Sequence, residues 1–391
     1  MIAETARRDG GQGPTEEGPW LVFSDDWGRH PSSCQHLIRH LLPRHSVLWV
    51  NTVGTRRPSL GGYGLRRGVE KVSGWLLRRE RRRSEAGPVV LNPVMWPSFR
   101  SAAGRGLNRW LLERAVRRAL GGRRAPVAIT TLPIVADLVG RLAVDRWVYY
   151  CVDDLSKWPG LDGQALEEME NELVHRVDGI VAVSHRLAAR LAQLGRSSGV
   201  LSHGVDLEHW VARAGPPVEL AGLERPLVVF WGVVDRRLEV AWLEALAHRL
   251  DRGTLLLAGP SNDPDPALAR LPRLARSGPI PYDRLPEVGR EAGVLIMPYA
   301  DLPVTRAIQP LKLKEYLATG RPTVVRSLPA TEPWADCCDV VATAEAFADG
   351  VLERLATGLP PAQREARRRR LVQESWTHKA QLFETMVLGT S

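Results

Sequence analysis

The segment Pro310-Leu-Lys-Leu-Lys-Glu-Tyr-Leu-Ala-Thr-Gly-Arg-Pro-Thr-Val-Val325 contains the start of a helix, its end and the strand that follows it. Proline is favoured in the first turn of a helix and glycine just past its end, so the spacing predicts a helix from Pro310 to Thr319 that ends at Gly320. The apolar residues from Thr323 to Val325 then predict a short strand. A helix that leads directly into a strand is typical of the βα repeats of parallel sheets.

The same alternation of short apolar runs and amphipathic segments extends along most of the chain. It predicts an α/β fold with parallel sheets. The predicted strands are Trp20–Phe23, Ser46–Asn51, Val89–Asn92, Val127–Thr130, Trp147–Val152, Gly179–Val183, Gly199–Ser202, Leu227–Trp231, Thr254–Ala258, Val294–Met297, Thr323–Val325 and Val340–Ala342. Two helices, from about Ala344 to Thr357 and from Pro361 to Leu388, are predicted to end the chain.

A chain of 391 residues is too long for one ordinary core, so two domains are expected. We predict a disordered leader (1–18), a Rossmann-like domain (19–213), a linker rich in proline and glycine (214–226), a second Rossmann-like domain (227–370) and a C-terminal helix (371–391) that packs back toward the first domain. Two open parallel sheets joined by a linker are expected to face each other across a cleft.

The composition favours a cytoplasmic protein. No stretch approaches the roughly 20 apolar residues of a membrane span, and residues 1–18 lack the apolar core of a signal peptide. The four cysteines, Cys34, Cys151, Cys337 and Cys338, have no CxxC spacing and are expected to be reduced thiols.

Polar clusters follow the predicted strands at the points where ligands bind open α/β sheets. These clusters are Ser24-Asp25-Asp26, Asp153-Asp154, His203-Gly204, Gly232 to Arg237, Gly259-Pro260 and Pro298-Tyr299. In the helix quoted above, free N–H groups of the first turn favour a bound phosphate. Lys312 adds a full positive charge, and Glu315 is placed to accept hydrogen bonds from ribose hydroxyls. The alternative is a plain amphipathic helix with Leu311, Leu313 and Leu317 packed inward.

This helix resembles the donor-binding helix of GT-B glycosyltransferases, especially the large retaining family of bacterial polysaccharide and cell-envelope enzymes, which often reads P-x-K-x-x-E-Y-x-A-x-G-x-P-V-V. Other segments resemble the same family in the same order. They are Tyr150-Cys-Val-Asp-Asp154, Ala182-Val-Ser-His185, Ser202-His-Gly-Val-Asp206, Phe230-Trp-Gly-Val-Val-Asp-Arg-Arg237 and Leu256-Leu-Ala-Gly-Pro260. The resemblance covers the chain from about Trp20 to its end.

The resemblance implies a nucleotide-diphosphate sugar as donor and no cofactor. Arg237 and Lys312 would neutralise the leaving diphosphate as the anomeric bond breaks. The implied donor-binding residues are Gly232, Arg237, Gly259, Pro260, Tyr299, Thr305, Gln309, Leu311, Lys312 and Glu315. One position departs from the family: Ala307 stands where a glutamate commonly contacts the transferred sugar, so Thr305, Arg306, Gln309 or the loop backbone would take that role.

The first domain is expected to bind a glycan or lipid-linked acceptor. Asp25, Asp26, Arg29 and His30 follow the first strand, and Asp153 and Asp154 follow a later one. Asp26 or His30 is the candidate that orients the acceptor hydroxyl or accepts its proton. A surface histidine is the alternative for His30. Aspartate at a strand end more often caps a turn than binds metal, and no metal site is predicted.

The positive charge is concentrated in one region. Residues 51–124 contain 17 arginines and one lysine against four glutamates, an excess of 14 charges, whereas the whole chain has a net charge of +9. The block Arg56–Arg124 suits an anionic partner such as the inner face of a membrane, or it is a solvated helix surface.

Three other classes of protein are alternatives: another nucleotide-dependent α/β enzyme, a nucleic-acid-binding protein and a donor-binding protein without turnover. A dinucleotide-binding enzyme requires GxGxxG after the first strand, and a P-loop enzyme requires GxxxxGK[ST]; neither motif is present. A nucleic-acid-binding protein would use the basic block with Trp75, Trp96 and Trp110 as stacking groups. A donor-binding protein without turnover is the third alternative, because of Ala307. We expect a glycosyltransferase that binds no nucleic acid.

Overall fold

The computed structural model describes residues 18–28, 32–52, 87–96, 98–157, 161–210, 215, 218–307 and 311–389. The chain forms two compact units, one of Met1–Leu201 with Ala380–Ser391 and the other of Ser202–Lys379. This division lies at Leu201, whereas the sequence places a linker at 214–226. The predicted leader lies outside the described residues except for Gly18, as does the part of the basic block between residues 53 and 86.

The first unit contains a sheet of seven parallel strands in the order β3-β2-β1-β4-β5-β6-β7. The strands are β1 (Trp20–Ser24), β2 (Val47–Asn51), β3 (Val89–Leu91), β4 (Ala125–Thr130), β5 (Val144–Cys151), β6 (Gly179–Ala182) and β7 (Gly199–Val200). Every residue of β1 is buried, as expected for a central strand covered on both faces. Because β1 pairs with both β2 and β4, the strand order reverses beside it.

In the described residues, four α-helices and two short 3-10 helices lie between these strands. They are α1 (Ser33–Leu41), α2 (Ala102–Leu120), α3 (Gly163–Arg176) and α4 (His185–Gln193), with the 3-10 helices Pro133–Leu138 and Leu155–Lys157. The hydroxyls of Ser32, Ser101 and Ser184 accept a backbone N–H of the helix that each precedes. These N-caps explain why α1, α2 and α4 begin where they do.

The second unit contains a sheet of six parallel strands in the order β10-β9-β8-β11-β12-β13. The strands are β8 (Leu227–Trp231), β9 (Thr254–Ala258), β10 (Leu274–Gly278), β11 (Ala292–Met297), β12 (Thr323–Arg326) and β13 (Asp339–Val341). The helices are α5 (Val240–Arg249), α6 (Leu285–Glu291), α7 (Pro303–Ala307), α8 (Leu311–Ala318), α9 (Ala344–Thr357) and α10 (Pro361–Gln373), with 3-10 helices at Val218–Leu220, Pro266–Arg270, Tyr282–Arg284 and Glu332–Trp334. Here the order reverses between β8 and β11. The last helix, α11 (Trp376–Leu388), begins in the second unit and ends in the first.

The predicted α/β fold with two Rossmann-like parallel sheets is confirmed, with two corrections to its elements. No strand is predicted from sequence at β10, because its residues Leu274–Gly278 are mixed in polarity and only partly buried at the sheet edge. The single helix predicted from Pro361 to Leu388 is wrong: it breaks between α10 and α11. There the backbone of Glu374 and Trp376 bonds to Val205 instead of continuing the helical ladder.

The residues from Ala380 onward belong to the first unit. The ring of Phe383 lies 5.0 Å from that of Tyr150. Glu384 forms an ion pair with Arg44 at 2.8 Å and a hydrogen bond with the ring of His45 at 2.5 Å. The end of α11 is therefore held by both apolar packing and charge.

Candidate functional site

The second unit places polar residues where its strand order reverses. Gly232 follows β8, and Pro298 and Tyr299 follow the neighbouring strand β11. The two segments are joined by backbone contacts, since the N–H of Glu239 donates to the carbonyl of Pro298 at 2.8 Å and that of Ala300 to Arg237 at 2.7 Å. This point of an open parallel sheet is the usual place for a ligand.

Two glycines keep the end of β8 free of side chains. Gly232 and Gly259 have φ angles of 141° and 146°, a region that other residues avoid. A Cβ on Gly259 would overlap the Gly232 peptide, whose carbonyl carbon would be 2.8 Å away. The two backbones therefore touch, and a phosphate group can approach them closely.

The Lys312 ammonium lies directly against this glycine turn. A Cβ on Gly232 would be 2.7 Å from its Nζ. Nζ donates to the hydroxyl of Tyr299 at 2.6 Å and lies 5.7 Å from the ring centre of Phe230. Among the described residues, no carboxylate is within 4.0 Å of this ammonium, so aromatic faces hold the cation without neutralising it.

Arg237 provides a second cation near the first. Asp235 accepts hydrogen bonds from its Nε at 2.9 Å and pairs with its Nη2 at 2.8 Å. Burial lowers the pKa of the guanidinium, but the bonds to Asp235 outweigh burial, so the pKa is raised overall. Its carbon lies 5.9 Å from the ring centre of Tyr299, so Arg237 and Lys312 lie on the same aromatic residue.

Glu315 lies one turn further along α8 from Lys312. Its carboxylate accepts the indole N–H of Trp231 at 3.3 Å. Burial raises the pKa of this carboxyl, while Trp231 and Lys312 act in the opposite direction. The hydroxyl of Tyr316 accepts the backbone N–H of Trp231 at 3.0 Å and thereby ties α8 to the end of β8.

The other predicted donor-binding residues are placed as follows. Pro260 is exposed and accepts the N–H of Val234 at 2.9 Å. Leu311 is half-buried at the start of α8. Thr305 is buried, and its hydroxyl accepts the N–H of Leu302 at 2.9 Å and donates to the carbonyl of Ala300, so it shapes the loop. Gln309 lies outside the described residues.

In the first unit, the predicted acceptor residues follow β1. Asp25 is hydrogen-bonded by the hydroxyl of Ser24 at 2.9 Å, that of Ser32 at 3.2 Å and the amide of Gln35 at 3.2 Å. Asp26 is half-buried, and its carbonyl accepts from the same amide. Arg29 and His30 lie outside the described residues. Asp25 therefore organises this turn.

Asp153 and Asp154 follow β5 in the same unit. The carboxylate of Asp153 accepts the N–H of Asp154 at 2.8 Å, and Asp154 accepts the hydroxyl of Ser156 at 2.6 Å. Arg190 lies 3.9 Å from Asp154 and pairs at 2.6 Å with Glu170, which is buried beneath this turn. Both aspartates thus take part in local turn structure, as capping residues do.

Several residues that support the site are not among those predicted from the sequence. Trp231 contacts Glu315, Phe230 lies under Lys312, and Tyr316 bonds the backbone of Trp231. In the sequence, these three aromatic residues have the pattern of ordinary core residues of β8 and α8. Only their position next to Gly232 and Glu315 is a signal in the sequence.

Within the described parts of the chain, no group of three or more histidine, cysteine, aspartate or glutamate side chains is arranged to hold a metal ion. Nor is any helix in those parts both long enough and apolar enough to cross a bilayer.

Comparison with solved structures places the fold. Sucrose-phosphate synthase from Thermosynechococcus elongatus is 16% identical and superposes with a TM-score of 0.64 over 95% of this chain and 100% of its own. HepE of Anabaena, in complex with UDP and glucose, is 14% identical with a TM-score of 0.62, covering 94% and 98%. Trehalose-6-phosphate synthase from Burkholderia multivorans is 14% identical with a TM-score of 0.62, covering 95% and 99%. This protein has the GT-B fold.

Comparison of sequences finds a bacterial relative. TuaH of Bacillus subtilis, provisionally named a teichuronic acid biosynthesis glycosyltransferase, is 29% identical over 178 residues. The match covers 43% of this chain and 45% of TuaH, so it spans less than half the length of that relative. No model of a protein family matches the sequence. The resemblance to bacterial glycosyltransferases is confirmed.

Proposed function

We propose that this protein is a glycosyltransferase that moves a sugar from a nucleotide-diphosphate donor to a cell-envelope, polysaccharide or lipid-linked acceptor. The observation that carries the proposal is the Lys312 ammonium, which lies against the backbone of Gly232 where the second sheet reverses its strand order. A cation on aromatic rings beside an open backbone is a site for a diphosphate.

The chemistry that these residues support is stabilisation of a leaving group. Breaking the anomeric C–O bond places negative charge on the nucleotide diphosphate. Lys312, Arg237 and the N–H groups at the start of α8 would meet that charge in a partly buried site, where their effect is larger than in water. Because these groups are fixed before the reaction, we propose that transfer proceeds without a metal.

Glu315 would bind the ribose. Its carboxylate lies next to Trp231 and on the same helix as Lys312, at the spacing of one turn. A partly buried carboxylate accepts hydrogen bonds from hydroxyls strongly when it is ionised. The diphosphate and the ribose would therefore be held by one helix.

We propose UDP-glucose as the first donor to test, because HepE, which has the same fold, is seen with UDP and glucose. We propose a retaining reaction on the resemblance to the retaining family. Sugar recognition would fall to the backbone and side chains of residues 302–309, since Ala307 replaces the usual glutamate.

We propose that the first unit binds the acceptor, with Asp26 or His30 accepting the proton of the attacking hydroxyl. The relationship with TuaH favours an envelope polysaccharide as the acceptor class. A protein that joins a nucleotide sugar to such an acceptor is expected to work in the cytoplasm, peripherally at the inner face of the membrane.

The test is donor binding followed by donor cleavage. Calorimetric titration with UDP, GDP and ADP, and with their glucose conjugates, should give saturable binding for one base. Lys312→Met should abolish it, while Arg368→Met, an exposed arginine of α10, should leave it unchanged. Absence of binding for every nucleotide, with stabilisation by polyanions such as heparin or RNA, would refute the proposal.

Turnover separates an enzyme from a protein that only binds the donor. With the nucleotide identified, release of nucleotide diphosphate from the donor is measured with and without membrane extract as the acceptor source. Release that depends on the extract and on Lys312 supports transfer. Tight binding without release under any acceptor condition would favour the donor-binding protein that Ala307 suggests.

A further inference from the structure

Helix α2 buries one face and exposes the other. Gly104, Asn108, Leu112, Val116 and Leu120 recur every four residues and are buried. The opposite side exposes two large apolar side chains, Leu107 at 43% and Trp110 at 56%. Single exposed apolar residues are common on proteins, but these two are one turn apart on a helix and therefore adjacent.

A further exposed aromatic residue, Trp96, adjoins the first turns of this helix. Trp96 is 54% exposed. The backbone of Trp96 is held in place, since its N–H donates to the Asn108 side chain at 2.6 Å and its carbonyl accepts from it at 3.0 Å. Its indole lies 3.6 Å from where a Cβ on Gly104 would be, and Leu107 follows Gly104 by one turn. An exposed tryptophan is therefore fixed beside the start of α2.

Basic side chains continue the same surface toward the end of the helix. The guanidinium of Arg114 lies 5.6 Å from the ring centre of Trp110. Arg117 and Arg118 are also exposed, and α2 contains five arginines against the single acid Glu113. Two of these arginines are already ion-paired, since Arg105 pairs with Asp137 and Glu172, and Arg117 pairs with Glu113 at 2.8 Å.

We infer that the α2 outer face (Leu107, Trp110, Arg114 and Arg118), with Trp96 beside the start of the helix, docks on the headgroup region of an anionic lipid bilayer. Tryptophan side chains are favoured at the boundary between headgroups and acyl chains, where the ring is apolar and its N–H stays hydrated. Arginines beside them are attracted by anionic headgroups. The combination is that of a surface that lies on a membrane without crossing it.

A nucleic acid fits this surface less well than a bilayer. Bases would stack on Trp96 and Trp110, and phosphates would pair with Arg114. However, Leu107, which is 43% exposed beside Trp110, gains nothing from a phosphate backbone, whereas it leaves water when the helix rests on acyl chains. This aliphatic residue therefore favours lipid. The inference rests on the proposed function, which places the protein at the inner face of the membrane, and it names the surface of the first unit that contacts the lipid.

The test is sedimentation of the full chain with vesicles. One set is phosphatidylcholine alone, and the other is phosphatidylcholine mixed in equal parts with phosphatidylglycerol. We expect binding to the anionic vesicles that falls with rising salt, and little to the neutral ones. The double variant Arg114→Glu/Arg118→Glu should bind about thirtyfold more weakly or worse, since each arginine contributes a factor of about five at an anionic surface.

The apolar residues are tested separately. Leu107→Ser/Trp110→Ser should weaken binding to anionic vesicles about tenfold or more, because the removed apolar area no longer enters the bilayer. Matched controls are Val372→Ser and Arg368→Glu on α10, which are equally exposed and lie in the second unit. Unchanged thermal unfolding and unchanged nucleotide titration show that the variants are folded, so a loss of lipid binding is separate from any failure of donor binding.

Three outcomes would overturn the inference. The first is equal binding to neutral and anionic vesicles. The second is wild-type lipid binding by both double variants. The third is that the double variants lose binding to single-stranded RNA, or lose self-association measured by ultracentrifugation, while their lipid binding stays unchanged. The surface would then bind a nucleic acid or a second copy of the chain.

Discussion

Lys312 and Lys314 lie two residues apart on α8 and have opposite surroundings. Lys312 contacts Tyr299, Phe230 and Gly232, and no described carboxylate pairs with it. Lys314 is buried and forms an ion pair with Glu374. One lysine keeps its charge available to a ligand, and the other has its charge balanced within the fold.

The surroundings of Lys314 show what a structural lysine requires. Its ammonium also donates to the carbonyl of His203 and to the hydroxyl of Ser202 at 3.3 Å. Lys379 lies 3.0 Å from the same Glu374 and 3.1 Å from the same Ser202. Burial lowers the pKa of Lys314 to about 8 although Glu374 raises it. Lys312 forms no ion pair with a described carboxylate. The contrast with Lys314 therefore makes Lys312 a candidate for ligand binding.

The largest expected effect is a difference in function between these two lysines. Lys312→Met should lower the rate of donor cleavage by about 10²–10³-fold, since one fixed group that meets charge in the transition state contributes that much. Its thermal unfolding should change little, because no described carboxylate forms an ion pair with its ammonium. Lys314→Met is the matched variant and should keep nucleotide binding, measured by titration at a temperature where both variants are folded. A loss of binding in Lys314→Met equal to that in Lys312→Met would contradict the contrast.

The next effect concerns the acid that balances Lys314. Glu374→Gln leaves Lys314 and Lys379 close together without a counter-charge, and it should lower the free energy of unfolding by about 3 kcal/mol. Denaturant unfolding measures this change. Glu365→Gln on α10 removes an exposed carboxylate beside Arg368 and should change stability by less than about 0.5 kcal/mol. Equal effects of the two substitutions would mean that the cluster does not stabilise the fold.

A smaller effect is expected at Glu315. Glu315→Gln keeps the shape of the side chain and its bond to Trp231 but removes the charge, so nucleotide affinity should fall about tenfold. Removal of the ribose hydroxyls should lower the nucleotide affinity of the variant less than that of the wild type. Titration of both proteins with a 2′,3′-dideoxy nucleotide tests this. Glu345→Gln, exposed at the start of α9, is the control. An unchanged ratio between the ribose and dideoxyribose nucleotides in Glu315→Gln would place the ribose elsewhere.

The smallest effect is a dependence of stability on pH through His203. Burial, together with Lys314 and Lys379, lowers the pKa of His203 to about 3 from its usual 6.5. Between these values the unfolded chain binds a proton that the folded protein does not, so acid lowers the free energy of unfolding. In His203→Leu, the free energy of unfolding should fall less steeply with acid than in the wild type, by up to about 1.4 kcal/mol per pH unit below pH 6. Urea unfolding of both proteins from pH 7 to pH 5 measures the slopes, and parallel slopes would show that His203 is not the group responsible.

The site was partly predictable from sequence. The spacing of Lys312 and Glu315 on a helix that follows a proline predicts both on one side of it, and Gly232 after an apolar strand predicts an open backbone. The aromatic rings of Phe230 and Trp231 under these residues were not predictable. Adjacent residues of a strand point to opposite faces, and only the packing of α8 against β8 shows which side chain each ring meets.

The sequence alone determined the fold class, because period-2 and period-3.6 patterns of apolar residues are local and the central strands, such as β1 and β8, are apolar along their whole length and fully buried. It also determined the concentration of positive charge before residue 125. Only the tertiary structure decided that Lys312 has no ion pair among the described residues while Lys314 meets Glu374, that a single C-terminal helix breaks at Glu374, and that the Trp96 indole lies beside Gly104 of α2. Each of these depends on residues that are distant in the chain, and a local pattern carries no information about which distant side chain arrives beside it.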